Sequence, residues 1–143
     1  MAARIIPTFS AHKTSSLVGA TEKVTIQSPA SGGKRVTPLR AVVRSTAAAV
    51  VTISRNGTAA SGTTLAPFAM TKGATATCTA WHTSNAGAGT TVETRSVAAD
   101  ETAVFDLSGH WWDGNSTAVN LSVGTDSITA TVNITIVWEE DDQ

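Results

Sequence analysis

The chain has 143 residues, 41% hydrophobic and 15% charged, with a formal net charge of -1. That length suits one domain burying roughly two-thirds of the surface its unfolded chain exposes, and the even charge balance excludes a general electrostatic pull toward nucleic acid. A single cysteine, Cys78, excludes an internal disulfide, and no run approaches the ~18 apolar residues of a membrane-spanning helix.

Residues 1–20 mix Ile5, Ile6, Pro7 and Phe9 with Ser, Thr and Ala, and show no sustained alternation. They read as an extended N-terminal arm whose apolar residues need a partner surface. No long apolar core comes after Arg4-Ile5-Ile6-Pro7, so a signal peptide is not expected and folding in a cytosol is. Residues 21–143 read as a single domain. Helix formers are scarce and β-branched residues abundant, which predicts an all-β fold with strands near 22–28, 35–45, 48–55, 58–60, 64–70, 74–82, 89–97, 101–107, 116–123 and 127–139.

Turn signals punctuate these runs about every ten residues, the rhythm of an antiparallel β-sandwich or jelly roll. Asn56-Gly57 predicts a tight hairpin after Arg55. Lys34, Arg35, Arg40 and Arg44 form a basic group that reads as a solvated strand face. Cys78, among Ala74, Ala76 and Ala80, reads as a buried small thiol, with Thr75, Thr77 and Thr79 on the wet side. The clearest alternation is the last: Ile128, Ala130, Val132, Ile134, Ile136 and Trp138 fall on one face, Thr129, Thr131, Asn133 and Thr135 on the other. Glu139-Glu140-Asp141-Asp142 then reads as a short, solvated acidic tail that discourages edge pairing.

Chemistry is hard to find. His12, His82 and His110 lie far apart, with no metal-ligand spacing, so neither a metal nor another cofactor is expected. There is no G-x-S-x-G elbow, and Cys78 has no base near it in sequence. Asp100, Glu101, Asp106 and Asp113 could supply paired carboxylates only by chance of folding. Asp113-Gly114-Asn115-Ser116 lacks the alternating ligands and closing Glu of a calcium loop and reads as a turn. Asn-x-Ser/Thr triplets at Asn56, Asn115, Asn120 and Asn133 are what a Ser/Thr-rich chain produces freely. The expectation is a protein that is not an enzyme.

Trp111 and Trp112 are adjacent, so on a strand their rings point to opposite faces and one is expected at the surface. An exposed Trp suits a protein interface or a sugar-stacking platform. The candidate interface residues are therefore Ile5, Ile6, Phe9, Trp111 and Trp112.

Leu39-Arg40-Ala41-Val42-Val43-Arg44-Ser45-Thr46-Ala47-Ala48, the run Val50 to Gly62, Ala103-Val104-Phe105-Asp106-Leu107-Ser108-Gly109 and the closing strand together resemble the small all-β virion proteins of tailed bacteriophages, most of all capsid decoration or cement proteins. The resemblance implies a sandwich or jelly roll on the capsid surface of the virion, made in the host cytoplasm and binding the major capsid protein and copies of itself, with a homotrimer favoured. It brings no catalytic residue, and on charge balance and apolar-run length neither nucleic acid nor a membrane is expected as a partner. A tail-tip carbohydrate- or receptor-binding module, stacking sugar on Trp111, Trp112 and Trp81, is the alternative expectation.

Overall fold

The computed structural model describes residues 4–55, 61–84, 86, 89–114 and 118–142. The described residues form twelve strands: β1 (Thr8–Ala20), β2 (Lys23–Gln27), β3 (Lys34–Ser45), β4 (Ala49–Arg55), β5 (Thr63–Leu65), β6 (Phe68–Ala69), β7 (Thr79–His82), β8 (Thr90–Val97), β9 (Thr102–Asp106), β10 (Trp112–Asp113), β11 (Asn120–Thr125) and β12 (Ile128–Asp142). They build two six-stranded antiparallel sheets packed face to face, so the all-β sandwich is the architecture.

The first sheet runs β10-β3-β12-β1-β6, with β9 beside β3; the second runs β5-β7-β2-β11-β4-β8. Eight strands carry the connectivity. The first sheet takes β1, β3, β9 and β12, the second β2, β4, β8 and β11, and the order in which they pair is that of two Greek keys wound into a jelly roll. The remaining short strands extend sheet edges.

Residues 8–20 do not belong to an arm. They form β1, which pairs with β12 from Thr8↔Glu139 to Ala20↔Ile128 and lies inside the sheet between β12 and β6. Phe9, Ala11 and Leu17 point into the core while His12, Thr14, Ser16 and Val18 are exposed. Lys13 and Ser15 occupy the intervening inward positions, and these two polar residues conceal the period-2 pattern in the sequence.

Two other runs are interrupted for physical reasons. The run 64–70 breaks at Ala66-Pro67, and β5 pairs in one sheet while β6 pairs in the other, so the segment crosses between layers. Only the end of the run 74–82 is a strand, because the Thr77 and Cys78 N–H groups donate to the Glu140 carboxylate rather than to a neighbouring strand. The Asn56-Gly57 turn and the strand expected at 58–60 lie outside the described residues; β4 pairs with β8 and β11.

The core fills the space between the sheets with Phe9, Val43, Phe105, Ile134, Ile136 and Trp138 from one and Val24, Ile26, Val51, Ile53, Leu121 and Val123 from the other. Phe9 and Trp138 sit on directly paired positions with ring centroids 5.9 Å apart and tilted at 33°, an arrangement worth ~0.5–1.5 kcal/mol beyond burial. A bulge in β3 re-aims its side chains: Pro38 faces Trp138, whereas Arg40 faces Val137 and Leu39 has no partner on β12. Its carbonyl instead accepts from the Leu107 N–H at 3.0 Å. Along the seam where β8 and β9 form the outer edges of the two sheets, the Arg95 guanidinium lies 4.0 Å from the Phe105 ring centroid and donates to the Val104 carbonyl.

Candidate interaction surface

Pairing register places the outward side chains of the first sheet in rows. One row reads Phe68, Ser10, Val137, Arg40 and Asp106; the next reads His12, Thr135, Val42 and Val104; a third reads Thr14, Asn133, Arg44 and Thr102. Hydrogen bonds stiffen the middle of this face. His12 Nδ1 lies 2.6 Å from Thr135 Oγ1, its Nε2 3.1 Å from Thr14 Oγ1, and the Thr14 hydroxyl donates to Asn133 Oδ1. The middle of the surface is therefore short-chained and uncharged, with Arg40, Asp106 and Arg44 along its β3 and β9 side.

Apolar side chains gather at one end of it. Ile5 is 73% exposed where the chain enters β1, with Ile6 beside it, and Phe68 at 68% and Met70 flank the same stretch, held by the Met70 N–H donating to Thr8 O at 2.8 Å. On the far side of β12 and β3, Trp111 leads into β10 and is 49% exposed, with the Arg35 guanidinium 4.5 Å from its ring centroid. Between them lies a strip of ion pairs: Arg4 with Asp141, Lys34 with Asp142, and Arg35 Nε with Asp113 at 2.9 Å. These exposed pairs contribute little stability but offset most of the strip's charge, with Glu139 beside Asp141 adding one further acid.

Two of the five expected interface residues are not on this surface. Phe9 is 1% exposed because its inward position on β1 packs it against Trp138. Trp112 is 5% exposed; its Nε1 donates to Ser28 Oγ at 2.9 Å, and Arg55 lies over its ring at 5.5 Å. Nor do the tryptophans form one sugar platform, since Trp112 is buried and Trp81 sits on β7 of the opposite sheet. Sequence reasoning misses Phe68 and Met70. The available signal is the Ala66-Pro67 break just before them, because proline ends a strand and favours an exposed edge beyond it.

The acidic end of β12 is not a solvated tail. Glu140 is buried, and its carboxylate accepts from Thr77 N–H at 2.8 Å, Thr77 Oγ1 at 2.7 Å, Cys78 N–H at 2.9 Å and Trp138 Nε1 at 3.0 Å. Burial pushes its pKa up, but these hydrogen bonds together outweigh burial and hold it below the ordinary value. Burial first, and the neighbouring Glu140 charge second, push the Cys78 thiol well up. A second buried carboxylate, Glu22, accepts from Ser15 Oγ and from the Lys23 and Thr83 N–H groups. Thr83 has a positive φ of 48°, uncommon for a β-branched residue, and the bond to Glu22 helps hold it there.

The acids considered for catalysis are each engaged locally. Asp106 accepts from Ser108 N–H and Oγ, Glu101 from Ala98 N–H, Asp113 pairs with Arg35, and Asp100 lies 3.7 Å from Arg44. Among the described residues no group of three His, Cys, Asp or Glu is placed to hold a metal ion, and no helix is long and apolar enough to cross a membrane. No family model, curated protein or solved structure matches the chain.

Proposed function

We propose that this protein is a structural component of a bacteriophage virion that binds the capsid surface as a decoration protein. The observation carrying this reading is the end of the first sheet, where Ile5, Ile6, Phe68, Met70 and Trp111 stand exposed around a strip of ion pairs. Large apolar and aromatic side chains on an otherwise polar face are the usual anchors of a protein interface. The short side chains in the middle of the face, His12, Thr14, Asn133 and Thr135, support them, since that part can approach a capsid lattice closely without ordering long, entropically expensive groups.

Individually such contacts are weak. Repetition over a symmetric lattice converts weak contacts into durable coating. In this reading Ile5 and Ile6 supply anchoring from the chain before β1, Trp111 has the interface role the sequence suggests for it, and Phe68 and Met70 take the roles suggested for Phe9 and Trp112.

Cryo-electron microscopy of virions from the phage that encodes the protein tests the assignment. Density for this jelly roll at every equivalent capsid position is the expected result. Density confined to the tail, the neck or a fibre would overturn it. Removing residues 1–6 should weaken particle binding while leaving the sandwich folded, whereas a deletion reaching Ala20 would remove β1 and with it a central strand.

A further inference from the structure

Along one side β1 is paired with β12 over its length, but on its other side β6 covers only Phe9 and Ser10. From Ala11 to Leu17 that second side has no strand neighbour among the described residues. The alternation of hydrogen bonds identifies the groups left over. Pro7 O accepts from Glu140 on the β12 side and Thr8 O accepts from Met70 on the β6 side, so the even-numbered residues His12, Thr14 and Ser16 aim their N–H and C=O groups away from the sheet. Of the other edges, the eight-residue β8 is also unpaired along one side among the described residues, but it meets β9 at the seam that Arg95 spans. Strands β5, β6 and β10 have two or three residues each, and Arg95 donates across the edge of β9 to Val104 O.

We propose that the Ala11–Leu17 edge pairs antiparallel with the same edge of a second copy of this chain, about a two-fold axis at Thr14, joining the two first sheets into one continuous sheet. The register is set by the limits of the free run. β6 blocks it at Ser10, and the pairing of β1 with β12 shifts after Leu17. Centring on Thr14 uses the whole run and keeps hydrogen-bonding residues opposite hydrogen-bonding residues: Thr14 faces its own counterpart, His12 faces Ser16, and Lys13 faces Ser15.

Charge selects a second copy as the occupant. Lys13 has no ion pair among the described residues, while the Ser15 hydroxyl donates to the buried Glu22 carboxylate. In the paired edge the ammonium of each Lys13 arrives at the Ser15–Glu22 pair of the other copy, and symmetry makes the match twice. No like charges oppose each other. Such an isologous contact closes at two copies, so it gives a dimer rather than a trimer, and it forms whether or not the apolar end of the sheet meets a capsid.

Sedimentation velocity of the full chain at ~10–100 μM, a range that detects weak dimers, tests this. The wild type should sediment as a dimer. Thr14→Pro removes an N–H that bonds nothing within its own sheet, so it should weaken dimerisation by about tenfold or more with an unchanged far-UV spectrum. Lys13→Glu should weaken it as well, by setting a carboxylate against Glu22. Thr14→Cys should be crosslinked across the dimer by a short bis-maleimide, because Cα atoms of a hydrogen-bonded pair are ~5.5 Å apart. A monomer throughout the range, or an oligomer that Lys13→Glu and Thr14→Pro leave unweakened and Thr14→Cys does not crosslink, would overturn the proposal.

Discussion

Trp138 and Glu140 point into the molecule from the same strand, and the Trp138 indole N–H donates to the Glu140 carboxylate at 3.0 Å. An apolar strand thus ends in a buried anion. The anion holds down the Thr77–Cys78 segment, which has no strand pairing of its own to order it. This tie holds Cys78 in the core that contains Phe9 and Trp138.

That relationship sets a pH dependence. The folded pKa of Glu140 lies below its ordinary value, so the group stabilises the fold above the unfolded pKa of ~4.3, and that contribution is lost as pH falls through the folded value. Thermal melts from pH 7 to pH 3 should show stability declining below about pH 4.5. Glu140→Gln should cost about 1–3 kcal/mol at neutral pH and flatten the acid limb of the curve. An acid limb as steep in the variant as in the wild type would count against the role.

Cys78 belongs to the same network. With its pKa raised by burial and by the Glu140 charge, the thiol stays protonated and shielded. A thiol reagent at neutral pH should label the native protein negligibly and modify the single cysteine fully in denaturant. Rapid labelling of native protein would show that the Thr77–Cys78 segment opens.

The two ends of tryptophan exposure separate stability from binding. Trp138→Ala empties a fully buried core position and should cost ~3–5 kcal/mol. Trp111→Ala loses a half-exposed ring and its contact with Arg35, worth about 0.5–1 kcal/mol at an exposed site. Denaturant melts should rank the variants in that order, and acrylamide quenching should lose a solvent-accessible component in Trp111→Phe.

Arg95 fastens the seam between the sheets. Replacing it by alanine uncovers Phe105 and frees the Val104 carbonyl at the edge of β9. A loss of about 1 kcal/mol in a denaturant melt is expected, along with increased self-association through that edge.

The alternation of apolar and polar residues is the legible part of the sequence. β12 reads plainly because its inward residues are uniformly apolar as far as Trp138, and carrying that period two residues further turns Glu140 inward. The buried carboxylate is hidden because four consecutive acids resemble a solvated tail. β1 is hidden because Lys13 and Ser15 interrupt its inward side near the open edge, a position where a polar residue is tolerated. Strand geometry alone requires one exposed ring in the Trp111–Trp112 pair. It does not reveal Phe68 and Met70: the Ala66-Pro67 break marks an interruption before them, but not that the chain crosses there from one sheet to the other.

Capsid binding is measured most directly by co-sedimentation of the purified protein with capsids assembled without it, comparing the wild type with the double variant Ile6→Glu, Phe68→Glu. Both substitutions lie at exposed positions, so the fold should survive them. The wild type should bind saturably, with as many copies as the lattice has equivalent sites, and the folded variant should bind about tenfold or more weakly. Wild-type protein that leaves capsids bare, or a variant that coats them equally well, would contradict capsid decoration through this face.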